Sequence, residues 1–518
     1  MQPNAVKEST HASASQPLPA GWLHWLTLTF VLGVGTLARF HCLACKPFWF
    51  DECFSVEVAR IDWHNFLHLM WWREANMSLY YLFLRIWIHF GGSPFFIRSL
   101  SVLISAATLL SLYWVARQLY DRRVALFAAA LLCLNAYSIR YAQEARSYSL
   151  FVLLATLSSG YFISFLRTPT SRNRAAYIVF STLCVYAHFY GLLLIAAHWL
   201  TVRWCGIPEV ATGPSGDETA RALRRAWGVI GIAVLPLLVF VSKTGAGPIK
   251  WITRPGLRDL WHFISDFTNG VPLIYAVACL LAFVPMRNRL LARAANREAW
   301  RVRFLLVWLL FPILLTVVLS FARPVFLPRY MVFCIPALLI LAAAGLASIR
   351  PAWLSGVFAL LLLLFSARFV PFVYGHDFDT ERDGSGAATN FILDHTQPGD
   401  GVIFHIAETR IPYEFFRSLR TGTNTASPQF AGEIGPAILF PNHGPGLDYR
   451  DFTGKPSEEL VRDEVGKHTR IWLMLMNNGP AEEPDPTTIM LSRTIPESLP
   501  KVQRWEFPRV EVRLDSRQ

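Results

Sequence analysis

The sequence predicts a polytopic α-helical membrane protein with a small α/β domain at its C-terminal end. Three observations indicate this fold class. The 518 residues are 53% apolar with a mean hydropathy of +0.35, and only 16% are charged, against about 25% in soluble proteins. Apolar runs of membrane-spanning length recur before residue 375. The net charge also divides there, at +19 before residue 375 and −7 from it onward.

A membrane-spanning helix needs roughly 20 mostly apolar residues, and about eleven runs approach that length. They lie near residues 22–45, 95–116, 124–139, 147–166, 175–187, 188–204, 226–243, 270–286, 304–321, 330–348 and 353–374. The fifth and sixth runs are interrupted at His188-Phe189-Tyr190-Gly191. Their basic flanks favour a hairpin of two short helices over one long helix. Residues 78–91 contain Arg85 and end in Gly-Gly-Ser-Pro, so we expect an interfacial or re-entrant segment there.

Arginine clusters predict the side of the membrane that each loop faces, because basic residues are retained in the cytoplasm. If the N-terminal tail (1–20) is cytoplasmic, the loops richest in arginine all face the cytoplasm. These loops are 117–123, 167–174, 204–225 and 287–303. The first outer loop (46–94) and the tail domain (375–518) then lie outside. We therefore predict a membrane domain over 21–374 and an extracytoplasmic, periplasmic tail domain.

This charge pattern also sets the expected location and partners. The basic residues lie in short clusters between spanning runs, which argues against nucleic acid as a partner. No small-residue cleavage site follows the first apolar run, so we expect a retained helix rather than a signal peptide. The prediction is a multi-pass protein of the plasma (inner) membrane, in contact with membrane lipids.

The tail domain has the pattern of a small α/β unit. Its alternating and apolar segments predict one helix and three strands, and its Pro/Gly-rich segments predict loops. The helix is expected at 385–396, the strands at 402–406, 470–476 and 504–514, and loops at 427–447 and 479–487. None of the eight cysteines lies beyond residue 375, so no disulfide framework stabilises this domain.

Acidic residues are scarce before residue 375, and their positions indicate a site. Five of the 14 lie in the first outer loop: Asp51, Glu52, Glu57, Asp62 and Glu74. Asp51 and Glu52 directly follow the aromatic run Pro-Phe-Trp-Phe, which is typical of a membrane interface. One interpretation is an interfacial helix whose first turn favours carboxylates through its dipole. The other is a reaction site.

Basic and aromatic side chains are predicted on the same outer face. They include Arg140, Arg146, His188, Tyr190, Arg323, Arg329 and Tyr330. Each arginine alone can extend to the lipid headgroups, but basic residues are depleted on this face. Several of them opposite paired acids therefore indicate an anionic ligand, and arginine binds phosphate in a bidentate manner. We interpret the set as a site for a membrane-embedded phosphate ester, with one carboxylate as the general base.

Six segments in this order resemble GT-C-type membrane glycosyltransferases, the superfamily of the protein O-mannosyltransferases and the lipid A aminoarabinose transferases. They are F-W-F-D-E-C-F-S-V-E-V-A-R (48–60), E-A-N-M-S-L-Y-Y (74–81), G-G-S-P-F-F-I-R-S-L-S (91–101), R-Y-A-Q-E-A-R-S-Y-S-L (140–150), Y-A-H-F-Y-G-L-L-L (186–194) and P-R-Y-M-V-F-C-I-P-A-L (328–338). The resemblance covers about residues 20–375 and excludes the tail domain.

The resemblance implies an enzyme that transfers one sugar from a polyprenyl-phosphate carrier to a glycan, lipid or protein acceptor. It implies Asp51 as the catalytic base and Glu52 as its support. The residues it places near the donor phosphate are Arg140, Arg146, His188, Arg329 and Tyr330. Residues in matching segments that are expected to contact substrate are Glu74, Tyr80, Tyr81 and Glu144.

The sequence departs from this superfamily in one segment. Relatives have Pro-Pro-Leu-Tyr-Tyr where this chain has Asn-Met-Ser-Leu-Tyr-Tyr at 76–81, which changes the expected backbone shape after Glu74. The outer loops lack the acidic metal-binding triplet of oligosaccharyltransferases, and Cys42-x-x-Cys45 has no second ligand pair. We therefore expect no metal and no cofactor.

Three alternatives remain at the level of the sequence. Transfer of an intact phosphate-containing group would use the same arginines. A lipid or polysaccharide transporter would use the same helices, although transporters place charges deep within several spans. The tail domain could also serve as a glycan sensor or help to choose the acceptor, with Tyr413, Arg417 and Arg420 facing the membrane site. The sugar and the acceptor are not specified by the sequence.

Overall fold

The computed structural model describes residues 22–207, 216–245, 252–284, 297–375, 384–421, 435–444, 446–452, 454–476 and 485–517. The predicted cytoplasmic tail (1–20) lies outside these residues. So do parts of the predicted loops 204–225, 287–303, 427–447 and 479–487.

The part of the chain before residue 375 is helical. Its α-helices are α1 (Trp22–Phe40), α2 (Phe50–Arg60), α3 (Trp63–Trp72), α4 (Ser78–Trp87), α5 (Pro94–Leu119), α6 (Arg122–Cys133), α7 (Ala136–Ala142), α8 (Tyr148–Arg167), α9 (Ser171–Ala187), α10 (Gly191–Cys205), α11 (Gly216–Ala233), α12 (Leu235–Thr244), α13 (Leu257–Phe267), α14 (Pro272–Leu281), α15 (Arg297–Ala322), α16 (Ile335–Ser348), α17 (Ala352–Ala367) and α18 (Val370–Tyr374). A 3₁₀ segment, Pro328–Cys334, leads directly into α16.

By length and composition, six helical segments among the described residues can each cross a membrane. They are α1, α5, α8, α15, the 3₁₀ segment with α16, and α17 with α18. Three bent pairs also qualify if each counts as one span: α6 with α7, α11 with α12, and α13 with α14. The protein is therefore a mostly helical multi-pass membrane protein with six to nine candidate spans.

These nine segments coincide with nine of the eleven predicted runs. The other two predicted runs correspond to α9 and α10, which have 17 and 15 residues. At 1.5 Å per residue they are about 25 and 22 Å long, less than the roughly 30 Å of a bilayer core. The structure confirms the helix break between them at His188–Tyr190, whereas eleven spans remain a prediction. Helix α4 has 10 residues and is about 15 Å long, too short to cross the bilayer.

The tail domain is built on a five-stranded mixed sheet. Its helices are α19 (Ser385–His395), α20 (Arg410–Thr421), α21 (Glu458–Lys467) and α22 (Pro486–Thr494), and its strands are β1 (Gly401–His405), β2 (Ala437–Phe440), β3 (Arg470–Met476), β4 (Lys501–Phe507) and β5 (Val510–Ser516). The strand order is β2-β1-β3-β5-β4. The first three are parallel, and β5 pairs antiparallel with both β3 and β4.

Alternation along the central strands supplies two cores, one on each face of the sheet. Val402 and Trp472 pack on one face with α19 and α20. Ile403 and Leu473 pack on the other face with α21 and α22. This period of two is what a strand buried on both faces produces.

Two expectations for the tail domain were wrong. The segment 504–514 is not one strand but parts of β4 and β5, joined at Pro508 and Arg509. Proline lacks a backbone N–H for a ladder, and Arg509 has φ +61°, the positive φ that a type II turn needs at the residue after its proline. The predicted loop 427–447 contains β2, because four apolar residues between Pro436 and Pro441 extend the sheet edge.

The tail domain packs on the first outer loop through aromatic contacts. The ring of Phe48 stacks on Phe415 of α20 with centroids 4.8 Å apart. Phe54 of α2 contacts Phe452 edge-on at 5.4 Å. Helix α2, which carries Asp51 and Glu52, therefore lies between the membrane helices and the tail domain.

Candidate active site

Asp51 lies in the first turn of α2, and two guanidinium groups from distant segments flank its carboxylate. Arg146 Nη2 and Arg329 Nη2 lie 3.7 Å and 3.5 Å from Asp51 Oδ2. Both distances exceed a hydrogen bond, and among the described residues Oδ2 has no hydrogen-bond donor. The side chain is 19% exposed. The carboxylate is thus held near positive charge with an acceptor position still open.

Arg146 is fixed by contacts with the backbone of α2. Its Nη1 donates to the carbonyl of Asp51 and to Ser55 Oγ, each at 3.2 Å. Ser55 Oγ in turn donates to the same carbonyl at 2.9 Å. Arg146 follows α7 and precedes α8, so these bonds join the polar segment 143–147 to the first turn of α2. The sequence predicts Arg146 and Asp51 on the same outer face, and the structure brings the two side chains together.

Arg329 reaches the same carboxylate from the start of the 3₁₀ segment. Its Cζ lies 5.5 Å from the centroid of the Trp49 ring, close enough for a cation–π interaction. Trp49 immediately precedes α2. Aromatic packing therefore holds this guanidinium at the first turn of α2.

Aromatic rings from three segments pack together next to Arg146 and Arg329. The His188 ring lies 4.5 Å from Tyr330 and stacks on Phe151 at 4.9 Å. The backbone N–H of Tyr190 donates to His188 Nδ1 at 3.2 Å. Because Nδ1 accepts, we assign the proton of the neutral ring to Nε2, which makes Nε2 a donor.

Several buried polar atoms of this region have no hydrogen-bond partner within the part of the chain that the structure describes. They are Asp51 Oδ2, Tyr81 Oη, Arg146 Nε, Tyr148 Oη and His188 Nε2. Arg146 interacts electrostatically with Asp51, Tyr81 and Tyr148, which places these groups together. Buried polar groups are normally paired. A cluster of unpaired ones indicates a place for a polar ligand.

Glu74 adds a second carboxyl group to this cluster. It is half-buried in the turn between α3 and α4, near Arg146 and Asp51. Burial raises the pKa of Glu74 to about 7, with Asp51 adding to the rise and Arg146 opposing it. Two residues later, Asn76 Oδ1 accepts a hydrogen bond from the backbone N–H of Phe189 at 3.1 Å. The turn thereby contacts the break between α9 and α10.

The departure from relatives at 76–81 has a structural counterpart. Met77 has φ +66° and caps α4, a conformation closed to proline, whose φ is near −65°. Tyr81 lies beside Arg146, whereas Tyr80 Oη forms a hydrogen bond with Ser101 Oγ of α5 at 2.9 Å. Of the two predicted tyrosines, the structure therefore brings only Tyr81 into the cluster.

Glu52 is fully buried, and both oxygens of its carboxylate accept hydrogen bonds. Arg98 Nε and Nη2 donate to its two oxygens at 2.8 and 2.6 Å, and the backbone N–H of Ala145 donates to Oε1 at 2.8 Å. Sequence reasoning missed Arg98. The available signal was a single arginine near the start of an apolar run, within the motif 91–101. Through these hydrogen bonds Glu52 joins α2 to α5 and to the segment 143–147.

Arg140 and Glu144 lie in a neighbouring cleft. The cleft is lined by Cys42, Leu43, Lys46, Pro47, Phe48, Trp49, Glu52, Arg98, Arg140, Gln143 and Glu144. Arg140 also interacts with Asp266 of α13. This cleft borders Glu52 rather than the Arg146–Arg329 pair, so the structure separates these two residues from the other predicted phosphate contacts.

The tail-domain residues expected to face the membrane site have other partners. Tyr413 is buried in the tail core against Phe404. Arg420 pairs with Asp394 of α19. Arg417 pairs with Glu414 at 2.5 Å, at the junction with Glu57 of α2. The expectation was therefore wrong, because the polar ends of these side chains are used within the tail domain and its junction.

The fold is similar to two kinds of solved structure. ArnT from Cupriavidus metallidurans bound to undecaprenyl phosphate aligns with a TM-score of 0.57 at 14% identity, over 96% of this chain and 98% of that one. Archaeal oligosaccharyltransferase AglB from Archaeoglobus fulgidus, in complex with an inhibitory peptide and a dolichol-phosphate, aligns with a TM-score of 0.54 at 11% identity, over 87% and 69%. No family model and no curated protein matches the sequence. The chain has the GT-C fold that the motif order predicted.

Proposed function

We propose that this protein is a glycosyltransferase that moves a single sugar from a polyprenyl-phosphate carrier to an acceptor hydroxyl at the extracytoplasmic face of the membrane. The observation that carries the proposal is the convergence on Asp51 of two arginines, Arg146 and Arg329, beside unpaired hydroxyl and imidazole groups. A carboxylate with an open acceptor position suits a general base. Two guanidinium groups suit a phosphate that gains charge as it leaves.

In the proposed step, the acceptor oxygen attacks the anomeric carbon while Asp51 Oδ2 takes the proton of the acceptor hydroxyl. The bond from the anomeric carbon to the phosphate oxygen breaks, and its electron pair leaves with the polyprenyl phosphate. Arg146 and Arg329 balance the added charge, and the attack from the opposite side inverts the anomeric configuration. Holding both reactants in line supplies much of the rate.

The carrier class is supported by the complexes of the structural neighbours. The ArnT structure contains undecaprenyl phosphate, and the AglB structure contains a dolichol-phosphate. An uncharged sugar moiety would contact Tyr81, Tyr148 and His188 Nε2, whose polar atoms remain available. Hydroxyl and imidazole groups recognise sugar hydroxyls through hydrogen bonds.

The extracytoplasmic face is supported by two independent features. The arginine-rich loops favour a topology in which the first outer loop lies opposite the cytoplasm. A disulfide joins Cys42 and Cys45 directly before that loop, and disulfides persist in oxidising compartments such as the periplasm. Asp51 follows six residues after Cys45, so both features concern the side that holds the proposed site.

The test is sugar transfer by the purified protein in nanodiscs, using a panel of radiolabelled undecaprenyl-phosphate sugars. Asp51→Asn should lower the transfer rate about a hundredfold or more, since it removes the base. Asp62→Asn is the matched control, because Asp62 caps α3 and asparagine caps equally well. Full transfer by Asp51→Asn would exclude the base assignment. A product that retains the carrier phosphorus would instead identify transfer of an intact phospho-group.

A further inference from the structure

The disulfide Cys42–Cys45 closes a tight turn between α1 and the first outer loop. Within this turn Cys42 has φ +56°, a left-handed conformation that is unfavourable for a residue other than glycine. The Cys45 N–H donates to the Cys42 carbonyl at 3.1 Å. The covalent link therefore holds a backbone shape that the sequence would not favour by itself.

Carbonyl groups in this turn and directly after it accept hydrogen bonds from the guanidinium of Arg98. Arg98 Nη1 donates to Leu43 and Lys46 at 2.9 and 2.8 Å, and Nη2 donates to Pro47 at 3.0 Å. The other two donors bind Glu52. All five N–H groups of this buried arginine are thus used. Its position depends on the shape of the turn.

The same turn is connected to the segment that carries Arg146. Gln143 Nε2 donates to the carbonyl of His41 at 2.7 Å, immediately before Cys42. Ala145 N–H donates to Glu52. Two paths of hydrogen bonds therefore lead from the disulfide turn, one to the first turn of α2 and the other to 143–147. These are the two segments that present Asp51 and Arg146 to each other.

We infer that the Cys42–Cys45 disulfide is a positioning element for sugar transfer, acting through Arg98 and Glu52 on the alignment of Asp51 with Arg146. The inference rests on the proposed function of that site. The disulfide turn is connected to Asp51 through Arg98 and Glu52, so removing the disulfide alters alignment and leaves the binding groups in place. The turnover number should therefore fall while the KM for the donor changes little.

Two measurements test this inference. Alkylation of the denatured, non-reduced protein should modify six cysteines, the number outside the disulfide. Eight modified cysteines would overturn the inference. Cys42→Ser/Cys45→Ser should lower kcat about tenfold with the donor KM within about twofold, and hydrogen exchange should accelerate in 50–60 and 143–147. The control is Cys205→Ser/Cys279→Ser, which removes two partly exposed free cysteines and should leave kcat unchanged.

A double-mutant cycle with Arg98→Lys, measured on the folded fraction of each variant, is a second test of the same connection. Removal of the disulfide should cost less than about twofold in kcat once Arg98 is replaced, because the two act in series. Equal costs in both backgrounds would overturn the inference. If the wild type transfers no sugar from any carrier, the proposed function fails. Unchanged exchange in 50–60 and 143–147 would then separately overturn the role of the disulfide.

Discussion

Arg146 Nη2 lies 3.7 Å from Asp51 Oδ2, although 95 positions separate the two residues in the sequence. The same arginine donates to the Asp51 carbonyl and to Ser55 Oγ. One of its nitrogens is therefore used to hold α2, and the other faces the carboxylate. This division of roles between the two ends of one guanidinium leads to the first prediction.

Arg146→Lys should reduce use of the lipid-linked donor. Lysine keeps the positive charge, but a single ammonium cannot hold α2 and also face the phosphate in a fork geometry. Loss of one charge-assisted hydrogen bond of about 1.5–3 kcal/mol corresponds to roughly a tenfold to hundredfold drop in kcat/KM for the donor. Steady-state transfer assays check this. The control is Arg117→Lys, in the last turn of α5. An unchanged kcat/KM would remove Arg146 from the phosphate site.

Much of the membrane fold follows from the sequence, because long apolar runs have few alternative structures. All eleven predicted runs contain helix, and the break at His188–Tyr190 is where the polar and aromatic residues indicated it. In the tail domain, the alternating pattern of 504–514 continues across the turn at Pro508 and Arg509. Alternation alone therefore did not distinguish one strand from a hairpin.

The site was predictable where it is local and not where it depends on distant pairing. Asp51 is a candidate from the sequence alone because it directly follows an aromatic run. Arg98 was missed because its partner Glu52 lies 46 positions away, and no local pattern records such a pair. Tyr80 and Tyr81 are neighbours on one helix, so they point about 100° apart. The sequence could not show which of them faces the cluster.

Asp51 and Glu52 should respond differently to loss of their charge. Glu52→Gln leaves the buried Arg98 without its carboxylate partner, and breaking a buried pair costs about 3–5 kcal/mol. Asp51→Asn removes the negative charge beside Arg146 and Arg329, but Oδ2 accepts no hydrogen bond among the described residues, so the loss of stability should be smaller than that of Glu52→Gln. Thermal unfolding of both variants in detergent measures the difference. Equal losses of stability would contradict the structural role assigned to Glu52.

Glu74 should make stability depend on pH. Its pKa in the folded protein is about 7, raised chiefly by burial from an ordinary value of 4.5. Folding therefore favours its protonated form, and its contribution to stability declines as pH rises from about 4.5 to 7. Glu74→Gln mimics the protonated form and should raise Tm relative to the wild type more at pH 8 than at pH 5. Differential scanning fluorimetry at both pH values checks this, and an equal difference in Tm would contradict it.

The packing of the tail domain on α2 should influence the candidate active site. Phe415 of α20 is fully buried and stacks on Phe48, three residues before Asp51. Phe415→Ala removes this contact, and truncation of a buried phenylalanine costs about 3–5 kcal/mol. Arg98 Cζ lies 4.5 Å from the centroid of the Phe48 ring, and Arg98 binds Glu52. A displaced Phe48 should therefore also disturb the Arg98–Glu52 pair. Hydrogen exchange in 50–60 should accelerate, and sugar transfer should fall about tenfold.

The matched control for this tail-domain variant lies on the same helix. Leu419 of α20 is 37% exposed, so Leu419→Ala should change exchange in 50–60 and sugar transfer by less than about twofold. If Phe415→Ala unfolds the tail domain, exchange will accelerate in the strands β1 and β3 as well, and that pattern separates unfolding from loss of the interface. Unaltered exchange in 50–60, together with unaltered transfer by Phe415→Ala, would show that α2 holds its position without the tail domain.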